Sequence, residues 1–456
     1  MKITRMKITG MKMKKTESKT KREQKTGKKM NKNKTESVAG KVIKTRTLAN
    51  GVRIITEKMP HVRSIALGIM VRTGAVDENE KNAGISHLVE HMMFKGTEKR
   101  GPYDIAGDID KIGGQINAFT AKEMTCYYVK SVAKNYKKAA DVLVDMIENS
   151  VFDSQEMNRE RKVICEEIKM TKDSPDDLAH DTLIANMFKG GNLGNSIIGT
   201  ASSLKRITRP IIKKYVSEHY TRDSIVVSVA GNFDEDDVCE YFEDKFGDLK
   251  ASKGKYVEKK SVYEPFAKVR VKDINQTHLC MGTKGLKTLD DGFYSFQVLN
   301  NLLGGSMSSR LFQNIRERKG LAYSVYSSIG NFSNDGYFEI YAGVAHDKVR
   351  EAVDGIREEL KLLSEAPVSD EELQSSKEQL KASYVFSGEN TTTRMMLNGK
   401  NYLLLDYVFT PEEVMDGYES VTGESLDAVK GIVCDFGNYS ASCVSGKRVN
   451  LKSIIG

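Results

Sequence analysis

The sequence lacks any long uninterrupted run of apolar residues, and it is poor in cysteine. None of its apolar stretches approaches the roughly 18–20 residues that a membrane-spanning helix requires, so we predict no such helix and no membrane partner. A charged segment followed by an apolar core, typical of a secretory signal, is also missing. The six cysteines are scattered without a C-x-x-C pair, which indicates buried thiols rather than a disulfide framework. We therefore expect a cytoplasmic protein.

Positive charge is concentrated at the start of the chain. Residues 1–34 contain 14 Lys and Arg and two Glu, whereas the whole chain has a net charge of +8, so the remainder is slightly acidic. This polar segment predicts a disordered basic tail over residues 1–40. Such a tail can tether a protein to nucleic acid or another anionic surface. It is also typical of a merely solvated tail or an over-extended start, which we favour, and we expect no nucleic-acid partner.

The most informative stretch is HLVEH, residues 87–91. On a helix, His87 and His91 lie four residues apart on one face, and Glu90 lies beside them. Two imidazoles one turn apart can bind one metal ion, and this H-x-x-E-H order is the inverted form of a known zinc motif. Most of the surrounding residues, 85–94, are apolar, which predicts a buried helix whose polar groups need partners. The alternative, polar residues that simply face solvent, agrees less well with that burial.

A third ligand is expected because catalytic zinc usually has three protein ligands and one open position. The best candidates lie in a helix predicted for residues 155–170, where Glu160 and Glu167 are two turns apart and share a face. Glu166 is turned about 100° away from Glu167 on that helix. Taken singly, each of these glutamates is better explained as part of a charged, solvated helix face.

Taken together, these motifs resemble the pitrilysin/insulinase family of zinc metallopeptidases, and more narrowly its bacterial and mitochondrial processing-peptidase branch. The resemblance runs from about residue 41 to the C-terminus and rests on H-x-x-E-H followed about 75 residues later by the glutamate pair. It implies one zinc ion per chain, bound by His87, His91 and Glu167. It also implies that Glu90 is the general base and that Glu160 is a carboxylate that orients the site.

An Asn-Gly pair at 50–51 predicts a hairpin, and alternating apolar residues over 64–72 predict a strand. Helices are predicted over 103–112, 138–149 and 238–246, in addition to the two that carry the candidate ligands. Together these signals predict an α+β fold with mainly antiparallel sheets covered by helices.

A polar linker is predicted over residues 251–262, between a metal-binding lobe at 41–250 and a C-terminal lobe at 263–456. A weak internal repeat predicts that the two lobes are similar.

In the second lobe, other residue types occupy the positions that match the predicted ligands of the first. Gln297 and Asn301 take the two histidine positions, and Ser376 and Ser383 take those of the two glutamates. We therefore predict that only the first lobe can bind metal, as the resemblance also implies.

Two further stretches gain a functional role only from the resemblance. The segment 116–120 matches the family's Asn-Ala-Phe-Thr edge strand, so Asn117 and Ala118 become candidates for binding a peptide through main-chain hydrogen bonds. Arg316 and Tyr323 match an Arg and a Tyr, seven residues apart, that contact substrate and stabilise an oxyanion in the family; a guanidinium and a phenol suit that charge. Otherwise Asn117 and Ala118 would be ordinary strand residues, and Arg316 a solvated helix residue.

The function that the resemblance implies is that of a zinc-dependent endopeptidase acting on extended peptides. Larger members of the family carry four lobes in one chain, folded as a clamshell around the substrate. This chain has two, so the resemblance implies a homodimer. The alternative is a non-catalytic assembly subunit, like some relatives in respiratory complexes. Those relatives have typically lost part of the zinc motif, whereas every key position is filled here.

Overall fold

The structure is a computed structural model that describes residues 43–246, 249–251 and 261–455. Two β-sheets organise these residues, one built from the first half of the chain and one from the second. The predicted basic tail and most of the predicted linker lie outside the described residues.

The first sheet has six strands in the order β1-β2-β6-β3-β5-β4, and only β2 and β6 run parallel. A hairpin joins β1 to β2 at the Asn-Gly turn that the sequence predicts. The strands are β1 (Ile43–Thr47), β2 (Arg53–Lys58), β3 (Ser64–Val71), β4 (Gln115–Thr120), β5 (Thr125–Val132) and β6 (Ile225–Gly231).

Helices cover one face of this sheet, where alternate residues of β3, such as Leu67 and Ile69, are buried in the larger apolar core. Among the described residues, the sequence predicts five of the eight α-helices in this half but not α5, α6 or α7. The apolar residues of α5 do not form a single stripe, so no helical periodicity marks it. The helices are α1 (Ile85–Met93), α2 (Pro102–Asp110), α3 (Tyr136–Asn149), α4 (Ser154–Asp173), α5 (Pro175–Met187), α6 (Ala201–Arg206), α7 (Arg209–His219) and α8 (Glu235–Lys245), of which α1 and α4 carry the predicted ligands.

The second sheet has five strands, which repeat the first sheet without β1. Its order, β7-β11-β8-β10-β9, matches β2-β6-β3-β5-β4, and again only the first neighbouring pair is parallel. The strands are β7 (Ala267–Val271), β8 (Thr277–Lys284), β9 (Ala322–Asn331), β10 (Gly336–Val344) and β11 (Ser440–Ser445). The predicted fold class, two similar α+β lobes with mainly antiparallel sheets, is therefore confirmed.

The helices of the second half include two π-helical segments, Asn301–Gly305 and Phe312–Arg318. None of the helices among the described residues is both long enough and apolar enough to cross a membrane. The α-helices are α9 (Phe293–Asn300), α10 (Val349–Glu365), α11 (Asp370–Gly388), α12 (Thr391–Leu405), α13 (Pro411–Glu419), α14 (Gly423–Cys434) and α15 (Lys452–Ile455).

The two halves exchange one helix each. Helix α5, which follows α4, packs on the second sheet, and α12, which follows α11, packs on the first. A glycine in the central strand permits each close approach: a Cβ on Gly68 would lie 2.4 Å from the sulfur of Met395, and one on Gly282 would lie 2.9 Å from Leu183. This exchange ties the catalytic candidates on α4 to the second sheet through α5.

Candidate metal centre

Helix α1 carries the H-x-x-E-H motif, and a buried carboxylate fixes its first turn. The helix begins after Gly84, whose φ of 86° is one that glycine adopts without steric cost. Glu78, which is 3 % exposed, accepts hydrogen bonds from the backbone N–H groups of Gly84 (2.6 Å) and Ser86 (2.9 Å), two donors that a helix start leaves free. Burial raises the pKa of Glu78 to about 7. The sequence gives no periodic signal for this residue, which sets where the motif begins.

The two histidines of the motif direct their Nε2 atoms toward Glu167 of α4. His87 Nε2 lies 3.8 Å from one carboxylate oxygen, and His91 Nε2 lies 3.7 Å from the other. Ligand atoms bound about 2.1 Å from a tetrahedral zinc ion are about 3.4 Å apart, close to both of these distances. One ligand atom from each of the three residues lies within 4.8 Å of the other two. The two imidazoles and the carboxylate therefore fit a zinc ion with an open fourth position.

The protonation state of His87 agrees with a ligand role. Burial, and then the neighbouring His91, lower the pKa of His87 to about 4, so its ring is neutral at pH 7. Metal binding requires a neutral imidazole. Among the described residues, His87 Nδ1 is a buried atom without a hydrogen-bond partner. The Nε2 atom of the same ring is the nitrogen that faces Glu167.

Glu160 lies behind His91 and contacts its second nitrogen. One carboxylate oxygen is 2.9 Å from His91 Nδ1, and the other accepts a bond from Lys95 Nζ at 2.8 Å. Burial raises the pKa of Glu160, but the hydrogen bonds from Lys95 and His91 outweigh it and hold that pKa below its usual value. A carboxylate in this position fixes the tautomer and the orientation of a ligating histidine. Sequence analysis missed Lys95, although it lies one helical turn beyond His91.

Glu90 lies on α1 beside the ligand cluster, where it accepts a hydrogen bond from the hydroxyl of Thr120. Burial is the largest influence on the pKa of Glu90 and raises it, against the opposing effects of Thr120 and His91. A carboxylate whose pKa lies nearer neutrality is a better acceptor and donor of a proton at pH 7. Thr120 was not among the predicted site residues, although it is the last residue of β4, the strand that contains Asn117 and Ala118.

That strand, β4, forms one edge of the first sheet. Within the described part of the chain it pairs only with β5. Asn117 is exposed and Ala118 is half-buried, and the Asn117 side-chain oxygen accepts a bond from the Ala118 N–H at 2.8 Å. Because Thr120 of this strand contacts Glu90, the free edge runs past the ligand cluster.

The two neighbouring glutamates on α4 point in different directions. Glu167 faces the histidines, whereas Glu166 is 66 % exposed and pairs with Lys169 at 2.7 Å. The helix register used in the sequence analysis therefore agrees with the structure.

Arg316 and Tyr323 lie together on the second lobe. Arg316 belongs to the second π-helical segment, and its guanidinium carbon is 5.7 Å from the ring centre of Tyr323 and 4.6 Å from that of Phe312. Tyr323 is 77 % exposed. In the described part of the chain, no hydrogen bond, ion pair or ring contact joins Arg316 or Tyr323 to the ligand cluster. The structure brings these two residues to each other and not to the metal centre of the same chain.

The matching place in the second lobe holds an amide and a hydroxyl. Asn301 donates a hydrogen bond to Ser376 Oγ at 3.0 Å, in the way that His91 meets Glu160. Gln297 accepts a bond from the Tyr418 hydroxyl at 2.7 Å. This helix-to-helix contact therefore persists without a ligand set.

Two family profiles match the chain. The profile described as "Insulinase (Peptidase family M16)" matches residues 53–201, which include the whole ligand cluster. The profile described as "Peptidase M16 inactive domain" matches residues 206–380, which lie largely in the second lobe.

Individual relatives and solved structures agree with these matches. An uncharacterised zinc protease of Bacillus subtilis is 42 % identical over 392 residues, or 86 % of this chain and 95 % of the relative. A crystal structure titled as a peptidase M16 inactive domain from Pseudomonas fluorescens has the same fold, with a TM-score of 0.81 and 18 % identity over 89 % of this chain and 99 % of its own. A chain of complex III from Candida albicans also shares the fold, with a TM-score of 0.78 and 17 % identity over 90 % and 98 %. On the strength of the sequence matches, this chain belongs to the insulinase family of peptidases, family M16.

Proposed function

We propose that this protein is a zinc-dependent endopeptidase whose active centre lies between α1, α4 and β4. The observation that carries the proposal is the convergence of His87, His91 and Glu167, with Glu90 beside them and a sheet edge alongside. Bound zinc lowers the pKa of a water molecule and polarises a peptide carbonyl. Three ligands, one base and one orienting carboxylate support this chemistry: His87, His91, Glu167, Glu90 and Glu160.

The protein groups divide the work as follows. Glu90 accepts the proton of the attacking water and returns it to the leaving amine, as the raised pKa of its carboxyl group favours. Glu160 holds His91 in the tautomer that presents Nε2. An extended substrate adds to the free edge of β4 near Asn117 and Ala118, and main-chain hydrogen bonds select for extension more than for sequence.

The test is hydrolysis of a peptide library followed by mass spectrometry. Protein loaded with one zinc per chain should cleave internal peptide bonds, and protein stripped by a chelator should not. Re-addition of zinc should restore the same cleavage products. A zinc-loaded sample that cleaves no peptide in the library would contradict the proposal.

We further propose that two identical chains form the complete catalytic chamber. In the family resemblance, an arginine and a tyrosine of another lobe contact the substrate. Here the half-buried Arg316 and the exposed Tyr323 lie together, and among the described residues neither contacts the metal centre of its own chain. A partner chain could bring them to the substrate and exclude water, which strengthens polar contacts to the transition state. Each active site of the homodimer would then be formed by residues of both chains.

Mixing two inactive variants tests this sharing. Glu90→Gln chains and Arg316→Ala chains should each be dead or weakly active alone. Mixed dimers made by co-refolding should regain activity, because one of their two sites has both groups intact. If a sample shown by mass measurement to contain mixed dimers recovers no activity, the shared site is wrong.

The rival function, a non-catalytic assembly subunit, is supported by the fold shared with the complex III chain and by the match of residues 206–380 to a profile described as an inactive domain. The filled ligand positions favour the peptidase. All six cysteines are free and half-buried or buried, which supports a reducing compartment, and we propose the cytoplasm as the site of action.

A further inference from the structure

A second cluster of metal-binding side chains lies where α5 crosses the second sheet. His180 of α5, Cys280 of β8 and Glu339 of β10 each present a ligand atom, and these three atoms lie within 4.8 Å of one another. His180 Nδ1 is 2.7 Å from a carboxylate oxygen of Glu339. None of these residues belongs to the zinc centre described above, which is built from α1 and α4.

The alternation of the strands separates this cluster from the core of the second lobe. Leu279 and Met281 face the helices of that lobe, so Cys280 between them faces the opposite side, where α5 packs. Glu339 likewise alternates with core residues of β10. The cluster therefore lies on the other sheet face from Asn301, which occupies the position equivalent to a zinc ligand in the first lobe.

Two of the three side chains are buried, and the third is accessible to an ion from solvent. Cys280 is fully buried and Glu339 is 2 % exposed, so strand geometry fixes both. The side chain of His180 is 27 % exposed, and its Nε2 lies 3.2 Å from the hydroxyl of Tyr326, which is itself partly exposed. An ion can enter from this side, where the exposed Asp176 adds negative charge near His180.

The other exchanged helix is anchored without metal-binding chemistry. In α12, the buried Arg394 shares its Nε–H group between the two carboxylate oxygens of Glu57 of β2, at 2.9 and 2.7 Å. Arginine stays protonated and does not bind metal ions. The α5 anchor uses imidazole, thiol and carboxylate instead, the three side-chain types that bind zinc in proteins. Helix α12 is therefore anchored without a set of metal-binding side chains. Anchoring alone does not explain why such a set lies under α5.

We propose that His180, Cys280 and Glu339 form a second metal site, of lower affinity than the zinc centre, for a divalent transition ion such as Zn²⁺ or Co²⁺. The ion binds His180 Nδ1, Cys280 Sγ and one oxygen of Glu339. The thiol proton leaves to solvent, and the imidazole hydrogen moves from Nδ1 to Nε2, which then donates a hydrogen bond to the Tyr326 hydroxyl. Bound there, the ion links α5, the direct continuation of α4, to the second sheet.

The lower affinity follows from what the ion must displace. The Cys280 thiol is fully buried close to the Glu339 carboxylate, so forming a thiolate there costs free energy. The ion must also replace the bond between His180 and Glu339. The zinc centre therefore fills first, with one ion per chain, and the second site fills only when metal is in excess.

Cobalt titration of the full-length His87→Ala variant isolates the second site. A thiolate bound to Co²⁺ gives a charge-transfer absorption in the near ultraviolet, whereas the first site has only nitrogen and oxygen ligands. Under reducing conditions the band should grow until one Co²⁺ is bound per chain. Cys280→Ser should lose the band, and Cys443→Ser, which changes a fully buried cysteine of the same sheet that faces the core, should keep it.

A second variant keeps the test decisive if Cys280→Ser does not fold. Glu339→Gln preserves the size of the side chain and should weaken the Co²⁺ affinity measured by the band at least tenfold. The proposal is overturned if no band appears at saturating Co²⁺, if the band persists in folded Cys280→Ser, or if Glu339→Gln binds Co²⁺ as tightly as its parent. The readout is independent of peptidase activity.

Discussion

The two lobes have the same strand order but differ at one helix-to-helix contact. In the first lobe, His91 meets Glu160; in the second, Asn301 meets Ser376 at a similar distance. Each contact joins the helical segment that follows the central strand of its sheet, β3 or β8, to a long helix of the same lobe, α4 or α11. The fold therefore positions both contacts equally well. Metal chemistry in this protein therefore depends on a few side chains placed on a repeated scaffold and not on the scaffold itself.

The exchanged helices show the same principle. Each crosses a sheet whose central strand has a glycine at the closest approach, yet one is held by an arginine–glutamate pair and the other by a histidine–glutamate pair next to a thiol. Repetition preserves backbone geometry, because packing density constrains it, while the polar groups at each contact are free to diverge.

The largest difference should appear between the two adjacent glutamates of α4. Glu167→Gln should lose more zinc affinity than the roughly 10–100-fold expected for losing a partner outside the ligand set, because it removes a charged ligand. Glu166→Gln, whose side chain pairs with Lys169 in solvent, should bind zinc as the parent does. Zinc titration against a competing chelator measures both. Equal losses would mean that the ligand assignment on α4 is wrong.

Breaking the Arg394–Glu57 pair that anchors α12 should lower the free energy of unfolding more than any other change proposed here. Arg394→Met should lower the free energy of unfolding by about 3–5 kcal/mol, because it leaves the buried Glu57 carboxylate without its charged partner. The exposed pair of Arg46 and Asp236 provides the control, and Arg46→Met should cost at most about 1 kcal/mol. Denaturant unfolding monitored by circular dichroism measures both. A loss of less than 1 kcal/mol in Arg394→Met would show that α12 is held by its apolar contacts alone.

A matched pair of variants compares the repeated contact itself. Glu160→Gln should reduce peptidase activity by about 10–100-fold and zinc affinity by less, since it leaves the three ligands in place. Ser376→Ala, at the equivalent position of the second lobe, should leave both unchanged and cost about 1 kcal/mol of stability for its lost hydrogen bonds. Activity, zinc content and unfolding are measured on the same samples. A comparable loss of activity in Ser376→Ala would contradict a metal centre confined to the first lobe.

Much of the fold was predictable because its signals are local. The Asn-Gly turn before β2, the alternation along β3 and the helical spacing of α4 each report the element that contains them. The repeat was detectable because β6 and β11 are equivalent central strands of similar composition. Helix α5 was missed because it packs against the sheet of the other half. The positions of its apolar residues depend on that distant sheet, so they do not show a regular helical spacing in the local sequence.

The candidate site was predictable as far as residue spacing could reveal it. His87, His91 and Glu167 were found from helical spacing and the family resemblance, and the structure places them together. Glu78 and Thr120 were missed because their partners lie on other elements, and a lone Glu or Thr in a sequence carries no sign of such a contact. Contacts between distant segments are therefore the part of the site that only the structure supplies.

The central claim, catalysis by a metal centre in the first lobe, is tested most directly by Glu90→Gln. This change removes the proposed base but none of the proposed ligands. We expect the purified variant to hold one zinc per chain, as the parent does, and to lose peptidase activity by about 100- to 10,000-fold, the range attributed to general acid–base catalysis. His87→Ala, measured alongside, should lose both zinc and activity. Retention of activity by zinc-loaded Glu90→Gln, or loss of its zinc, would contradict the account.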